Sequence, residues 1–409
     1  MNSIHSQTIS WSEQTSGITT ALNSVSAPDD NNVWACGNAG KVLRTTNGGV
    51  NWSNAGGGII PVTLSLYNIF GIDGNTALVT GTSGTATFVY RTSNAGVTWT
   101  QVFTQPSGFI DAILMGNAQA GFMVGDPVGG RWSLWGTTSG GITWDSAQFR
   151  LPQAGTEAGW NNAFYFDAVS QAVWFGTSNT RIYRSTNLIL WSTEVTPGQV
   201  NSSALWFNSS TNGMTGGAGL LFTTNGGTTW ANTGSPLPGT AAIVGINGTG
   251  SRWTVVRNAA QIYFSTNDGV AWVIQYTAPA GNYTHVNKSR TSGLVFWAVR
   301  DNGGITQGNT LLGIQPISGV VPSNFSLKQN YPNPFNPSTN IKFTIPKESF
   351  VNMEAFDVLG RLVKSLVSEN LKAGIYEINF DASELNSGTY FYKITAGSFI
   401  ETKKMILIK

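Results

Sequence analysis

Cysteine and charge are almost missing from this sequence of 409 residues, and each scarcity excludes something. Cys36 is the only cysteine, so no intrachain disulfide can form and stability rests on packing. It lies in the apolar run Val33-Trp34-Ala35-Cys36, the setting of a buried, inert thiol. The two histidines, His5 and His285, are far apart, which leaves no set of ligands for a transition metal. Charged residues make up 10% of the chain, against about 25% in ordinary soluble domains. The net charge of +2 points to no nucleic-acid partner. No stretch is long and apolar enough to span a bilayer. The opening MNSIHSQTISW also lacks the apolar core of a secretory signal, and residues 1–6 read as a signal-peptide remnant with Ser6-Gln7 as the trace of a cleavage site. No phosphate-cradling loop and no nucleophile-base pair is visible, so no cofactor is expected.

Glycine, serine, threonine and asparagine are abundant, and their arrangement is periodic. Thr45 to Trp52 reads TTNGGVNW. Further copies close at Trp99 (TSNAGVTW), Trp144 (TTSGGITW), Trp191 (STNLILW), Trp230 (TTNGGTTW) and Trp272 (STNDGVAW). They recur at intervals of roughly 39 to 47 residues, the period of a four-stranded propeller blade. Between the copies, short apolar runs alternate with Gly and Asn turns, which predicts antiparallel strands a to d from the centre of a disc to its rim. Strands b and c pair as Val33–Gly37 with Lys41–Thr45, Ala77–Gly81 with Phe88–Thr92, and Phe122–Gly125 with Ser133–Thr137. Val173–Gly176 with Arg181–Ser185, Gly213–Gly216 with Leu220–Thr223, Trp253–Val256 with Gln261–Ser265 and Val295–Val299 with Gly304–Leu311 complete the series. Seven such pairs meet only six complete turns, and Trp11 is an outer-strand tryptophan without a turn of its own. The N-terminal strand is therefore expected to complete a seventh blade and close the ring, leaving no open sheet edge.

The turn resembles the Asp-box of sialidases and related propellers, whose pattern is Ser/Thr-x-Asp-x-Gly-x-Thr-Trp. Asn47, Asn94, Asn225 and Asn267 stand where that family carries Asp, Ser139 replaces it once, and the copy at Trp191 has lost both the Asn-turn spacing and its Gly. The turn residues Asn47, Gly49 and Trp52, Asn94, Gly96 and Trp99, Gly141 and Trp144, Asn225, Gly227 and Trp230, and Asn267, Gly269 and Trp272 are read as structural. Asn caps the hairpin, Gly takes positive φ and Trp packs between sheets. Over Gln7 to Gly313 the chain is similar to the photosystem-assembly-factor-like and Asp-box propellers, which implies the fold and says little of function. The arginine triad and the Tyr/Glu pair of a sialidase are not assignable here.

Two tryptophans stand outside the repeat. Trp132 falls in or beside the b–c loop of the third blade, GDPVGGRW, with Asp126 and Arg131, and Trp160 falls in the following d–a loop, AGTEAGW, with Glu157. Both loops belong to the upper face, opposite the Asn-Gly turns. Exposed aromatics beside a carboxylate and a guanidinium suit a sugar ring or a peptide, so Asp126, Arg131, Trp132, Glu157 and Trp160 form the candidate ligand site. The alternative is that the two loops pack on each other. Asp126 and Glu157 also have the residue types of a glycosidase pair, although no catalytic residue is assigned.

After Gly313 the repeat stops, prolines 316, 322, 332, 334 and 337 stiffen a connector, and lysine, limited to Lys41 and Lys288 before, becomes common. Alternating runs punctuated by Gly360, Gly374 and Gly388 predict a small Ig-like β-sandwich. YPNPFNP at Tyr331–Pro337, FDVLGRLV at Phe356–Val363, AGIYEINFDASELNSGTYFYKI at Ala373–Ile394 and the terminal TKKMILIK with Lys403 and Lys404 resemble the type A sorting domain of the type IX secretion system of Bacteroidetes and relatives. That resemblance covers Val321–Lys409. It implies passage through the outer membrane by the secretion machinery, followed by release or attachment to surface lipopolysaccharide, and an inner-membrane signal peptide.

The expected architecture is all-β: a remnant at 1–6, a seven-bladed propeller at 7–313, a linker at 314–324 and a sorting domain at 325–409. The expected role is a secreted or surface-displayed binding or scaffold module for a glycan or peptide, at the extracellular side or outer-membrane surface of a Gram-negative bacterium. The low charge equally suits a self-assembling extracellular layer or filament, with the chain as a homo-oligomer. A propeller-type glycoside hydrolase is the third reading.

Overall fold

The computed structural model describes residues 8–167, 170–199, 201–232, 236–311, 321–382 and 385–409. The expected remnant at 1–6, His5, the Gly313 boundary and most of the 314–324 linker lie outside the described residues. Every regular element described is a β-strand. The chain divides into two compact units, one spanning Trp11–Asn309 and the other the remainder.

The first unit is a seven-bladed propeller. Its sheets are short antiparallel meanders, six of four strands and one of three. The innermost strands are Leu22–Ser26, Ser65–Gly71, Ile110–Met115, Gly159–Asp167, Ala204–Phe207, Ile243–Thr249 and Tyr283–Lys288. The three-stranded blade is the third, where Asp145 and Pro152 make only isolated bridges to strand c, Arg131–Thr137. In the seventh, Thr8–Gln14 pairs outside Ile305–Leu311, so the first strand of the chain finishes the last blade. Trp11 donates its indole N–H to Gln275 at 2.8 Å and packs on Phe296. Glu13 accepts from Tyr276 and Thr306, each at 2.9 Å, and pairs with the buried Arg300. Closure covers the outer edge of Ile305–Leu311 and ties the two ends of the propeller into one blade.

Wedges of apolar side chains between blades hold the ring together. Trp34, Trp174, Trp253 and Trp297, one on strand b of each of four blades, are fully buried. At roughly 150–250 Å² and about 25 cal/mol per Å², each contributes about 4–6 kcal/mol of burial. Cys36 belongs to the same layer, and burial pushes its thiol pKa well up, away from the reactive thiolate. The Asn-Gly turns fix the rim. Thr45 Oγ1 accepts from Gly49 N–H at 3.0 Å, and Asn47 Oδ1 accepts from Asn51 N–H at 3.0 Å. The same pair of bonds recurs around Asn94 and Gly96, Ser139 and Gly141, Asn225 and Gly227, and Asn267 and Gly269. Gly49 is required twice over: its φ is 86°, and an added Cβ would lie 2.6 Å from the Trp297 ring. In the aberrant fourth copy, Leu188 adopts φ of 62° at the position that Gly48, Ala95, Gly140, Gly226 and Asp268 hold at similar φ, and Trp191 bonds its carbonyl.

The second unit is a β-sandwich. A three-stranded sheet of Ser326–Leu327, Ser338–Ile345 and Gly374–Asp381 faces a four-stranded one of Leu362–Leu371, Ser349–Phe356, Gly388–Ala396 and Phe399–Leu407. Ile341, Phe343, Ile345, Val351, Met353 and Tyr392 alternate into one core. Gly360 sits at φ of 75° in the turn that Asp357 caps, while Gly374 and Gly388 begin strands. Lys403 pairs with Glu401 at 2.9 Å, and Lys404 offers its carbonyl to Gln329. Prolines 332, 334 and 337, read as stiffening the way into the C-terminal domain, lie on the sandwich itself, within the span expected for that domain. Phe335 exchanges backbone bonds with Ile406 and Ile408 and packs on Phe380, and Asn330 bonds the Pro332 carbonyl. The prolines have no N–H to donate, so the segment is held through Phe335 on the end of the chain and through the Pro332 carbonyl, which Asn330 and Thr339 bond.

Candidate functional site

The glycine pair 129–130 decides where Trp132 goes. Both residues take positive φ, Val128 pairs with Arg131, and strand c resumes immediately. Trp132 is thus a strand residue and not a loop residue, and alternation turns it into the seam with the fourth blade. The expectation that it would be exposed is corrected: it is 4% accessible. Its ring packs on Phe175 and Tyr183, and its N–H donates to Glu157 Oε1 at 3.3 Å.

Glu157, also expected in the open, is 3% accessible. It accepts from Tyr183 O–H at 2.5 Å and from Ala154 N–H at 2.8 Å, and Arg181 Nε lies 3.4 Å from Oε2. Burial, and next the Glu157 bond, push Tyr183 up to about 12, so the phenol stays a donor. Asp126 accepts the Gly159 N–H at 2.7 Å, and burial raises its pKa against that bond. Behind it lies Asp111, buried, with Oδ2 unpartnered and its pKa raised well above the usual range by burial and by Asp126. The segment joining blades three and four folds back as a surrogate outer strand: Trp132 N–H bonds Leu151 O, and Gln153 N–H bonds Gly130 O. Three members of the predicted cluster therefore bind the loops to the seam.

Arg131 and Trp160 remain exposed at the surface. Of fifteen tryptophans, Trp160 is the one exposed residue, at 39% accessibility. It is the second residue of the fourth inner strand, whose register breaks between Gly159 and Phe164. The bulge lifts Asn162 to φ of 63° and sends it over the disc axis. There Asn162 Oδ1 accepts from Ser24 Oγ at 2.9 Å and Asn68 Nδ2 at 2.8 Å, on blades one and two.

Sequence reasoning missed the axial channel itself, a cavity of about 220 Å³ lined by all seven inner strands. Its polar residues substitute for ladder bonds between blades. Asn68 Oδ1 accepts Ile113 N–H, Ser24 Oγ accepts Ile69 N–H, Asn247 Nδ2 donates to Val286 O and His285 Nδ1 accepts Val25 N–H. Isolated polar residues within short apolar strands were the available signal. His285, whose position between loop and strand was open, lies on the seventh inner strand, where burial pulls it down to about 4 and keeps it neutral. Among the described residues no group of three or more His, Cys, Asp or Glu is placed to hold a metal ion. No helix among them is long and apolar enough to cross a membrane.

The second unit contains a segment that matches a known family. Residues 329–409 match the secretion system C-terminal sorting domain. A domain of this type implies export to the cell surface or extracellular space, with the type IX secretion machinery as partner. Among solved structures the fold is similar to YCF48 bound to D1 peptide, at 14% identity and a TM-score of 0.58 over 73% of this chain and 97% of that one. YCF48 from Cyanidioschyzon merolae is similar at 17% identity and TM-score 0.56, over 73% of this chain and 98% of that one. The WD40 β-propeller domain of Doa1 follows at 12% identity and TM-score 0.53, over 73% and 97%. At these identities the likeness is one of fold. No curated protein matches the chain.

Proposed function

We propose that the chain is an exported binding module whose propeller takes a glycan or peptide on the upper face, beside Trp160. The observation that carries this reading is the exposed indole of Trp160, held on a rigid strand start through the Gly159–Asp126 bond. An accessible ring on a fixed backbone gives a stacking surface at little entropic cost. Arg131 adds a cation on the same face. Trp132, Glu157 and Asp126 serve as supports, since their polar atoms are engaged within the seam. That engagement also weighs against the glycosidase reading, which needs carboxylates free to reach a substrate. YCF48 holding a D1 peptide lends a precedent for peptide capture by this fold. The test is a glycan and peptide array probed with the full chain and with Trp160→Ala. A hit lost in the variant supports the reading, and a hit kept undiminished refutes it.

Self-assembly is favoured by one specific feature. Val50, Val97, Ile142 and Val270, equivalent residues of four of the repeat turns, are all exposed, as are Ile189 and Leu190 in the shortened fourth copy. Light scattering on the full chain decides it: a concentration-independent monomer removes this reading.

A further inference from the structure

Arg290 brings to the axial channel a positive charge that forms no ion pair among the described residues. It lies just beyond the seventh inner strand and reaches across to blades one and two. Its backbone N–H bonds Ala27 O, Nη1 donates to Ser26 Oγ at 3.2 Å, Nη2 donates to Gly71 O, and the guanidinium lies over the Phe70 ring. These bonds use only part of its five N–H donors. No ion pair with Arg290 occurs among the described residues. Asp29 offsets some of the charge from a distance, but its carboxylate is turned to Asn31 and Asn32, and Asp30 is bonded by Ser292.

The guanidinium is reachable by solvent yet ringed by protein, as a group on the wall of a concave site must be. Burial pulls its pKa down to about 10, which leaves it charged at neutral pH. Arg290 as a residue is exposed, so an anion can reach its guanidinium from solvent, and the donors left free can take a carboxylate in a charge-assisted bond. Two further groups face the same space. His285 accepts at Nδ1, so its neutral ring carries the proton on Nε2 and can donate. Asn247 Oδ1 is buried with no donor to satisfy it. A guanidinium, an N–H donor and an orphan acceptor together complement a carboxylate with a hydroxyl or amide N–H beside it. The volume of about 220 Å³ suits a small molecule or the end of a chain, being below the roughly 300–1,000 Å³ of pockets for larger ligands.

We propose that the axial channel is a binding site for a small carboxylate carrying an adjacent hydroxyl or amide donor, gripped by Arg290 with His285 and Asn247 alongside. This site is separate from Trp160 and stands without it. The test titrates the full chain with N-acetylglycine, which mimics a peptide C-terminus, with glucuronate, a sugar acid, and with the neutral N-acetylglycinamide, while following the His285 ring by NMR. At least one acid should bind ten times or more tighter than the amide and shift the His285 signals. Arg290→Gln should abolish the difference, Arg290→Lys should retain part of it, and Trp160→Ala should leave it intact. Which acid binds tells peptide end from sugar acid. Equal affinity for acid and amide, no binding of either acid, or an unchanged preference in a folded Arg290→Gln protein overturns the proposal. Should Arg290→Gln fail to fold, the acid-against-amide comparison on the unaltered chain decides alone.

Discussion

Trp132 donates its indole N–H to Glu157 across the seam between the third and fourth blades, at 3.3 Å. The bond ties a strand residue to a carboxylate that also receives Tyr183, Ala154 and Arg181, so one buried acid organises two blades and the loop between them. Trp132→Ala should cost about 3–5 kcal/mol of stability, since a large ring is lost and a cavity is left. Trp160→Ala, at an exposed position, should stay within about 0.5 kcal/mol. Urea unfolding of the two variants checks the contrast. Equal losses would mean that Trp160 too is a packing residue.

Asp111 gives the seam a pH dependence with a definite sign. Its carboxyl pKa is raised in the folded state, first by burial and then by Asp126. The stability tied to that proton is complete below the ordinary aspartate range and is lost as pH rises through the raised value. Asp111→Asn, which cannot ionise, should therefore match the parent in acid and exceed it by about 1–3 kcal/mol at pH 8, the cost of an unsatisfied buried group. Unfolding measured at about pH 3.5, below the ordinary aspartate value, and at pH 8 tests it. A variant less stable than the parent at pH 8 would show that the ionised acid has a partner.

Ring closure depends on Glu13. Arg300 is buried, with Nε and Nη1 unpartnered, and Glu13 is its counter-charge. Glu13→Ala should destabilise the propeller by about 3–5 kcal/mol, because it strands a buried cation. A melting temperature unchanged from the parent would place the closing force elsewhere in the N-terminal strand.

Glycines at similar φ separate backbone strain from steric exclusion. Gly58 sits at φ of 66° with open space around it, and Gly49 at 86° against Trp297. Gly58→Ala should cost about 1–2 kcal/mol from the left-handed backbone alone. Gly49→Ala should cost about 1–3 kcal/mol more, from overpacking. Chemical denaturation of both variants reads the difference directly.

Much of the propeller was legible because each blade repeats the same chemistry. The Asn-Gly turn states its own geometry, the apolar b strands state their burial, and the mismatch between seven b–c pairs and six turns implied the closing role of Thr8–Gln14. The site was less legible for two physical reasons. Whether Trp132 belonged to a loop or a strand hinged on the Gly129-Gly130 turn being two residues long, and a shift of one position reverses the face a side chain occupies. Asn162 and Arg290 meet blades one and two from residues 94 to 264 positions away, which only a closed ring brings about. Prolines 332 to 337 resembled a linker by composition, while their docking depends on the last strand of the chain.

Affinity for a ligand selected on the array tests the central claim most directly, measured by calorimetry for the parent, Trp160→Ala and Trp132→Phe at equal folded fraction. The account predicts a loss of at least about tenfold, or 1.4 kcal/mol, for Trp160→Ala and little change for Trp132→Phe. Undiminished binding by Trp160→Ala would contradict it.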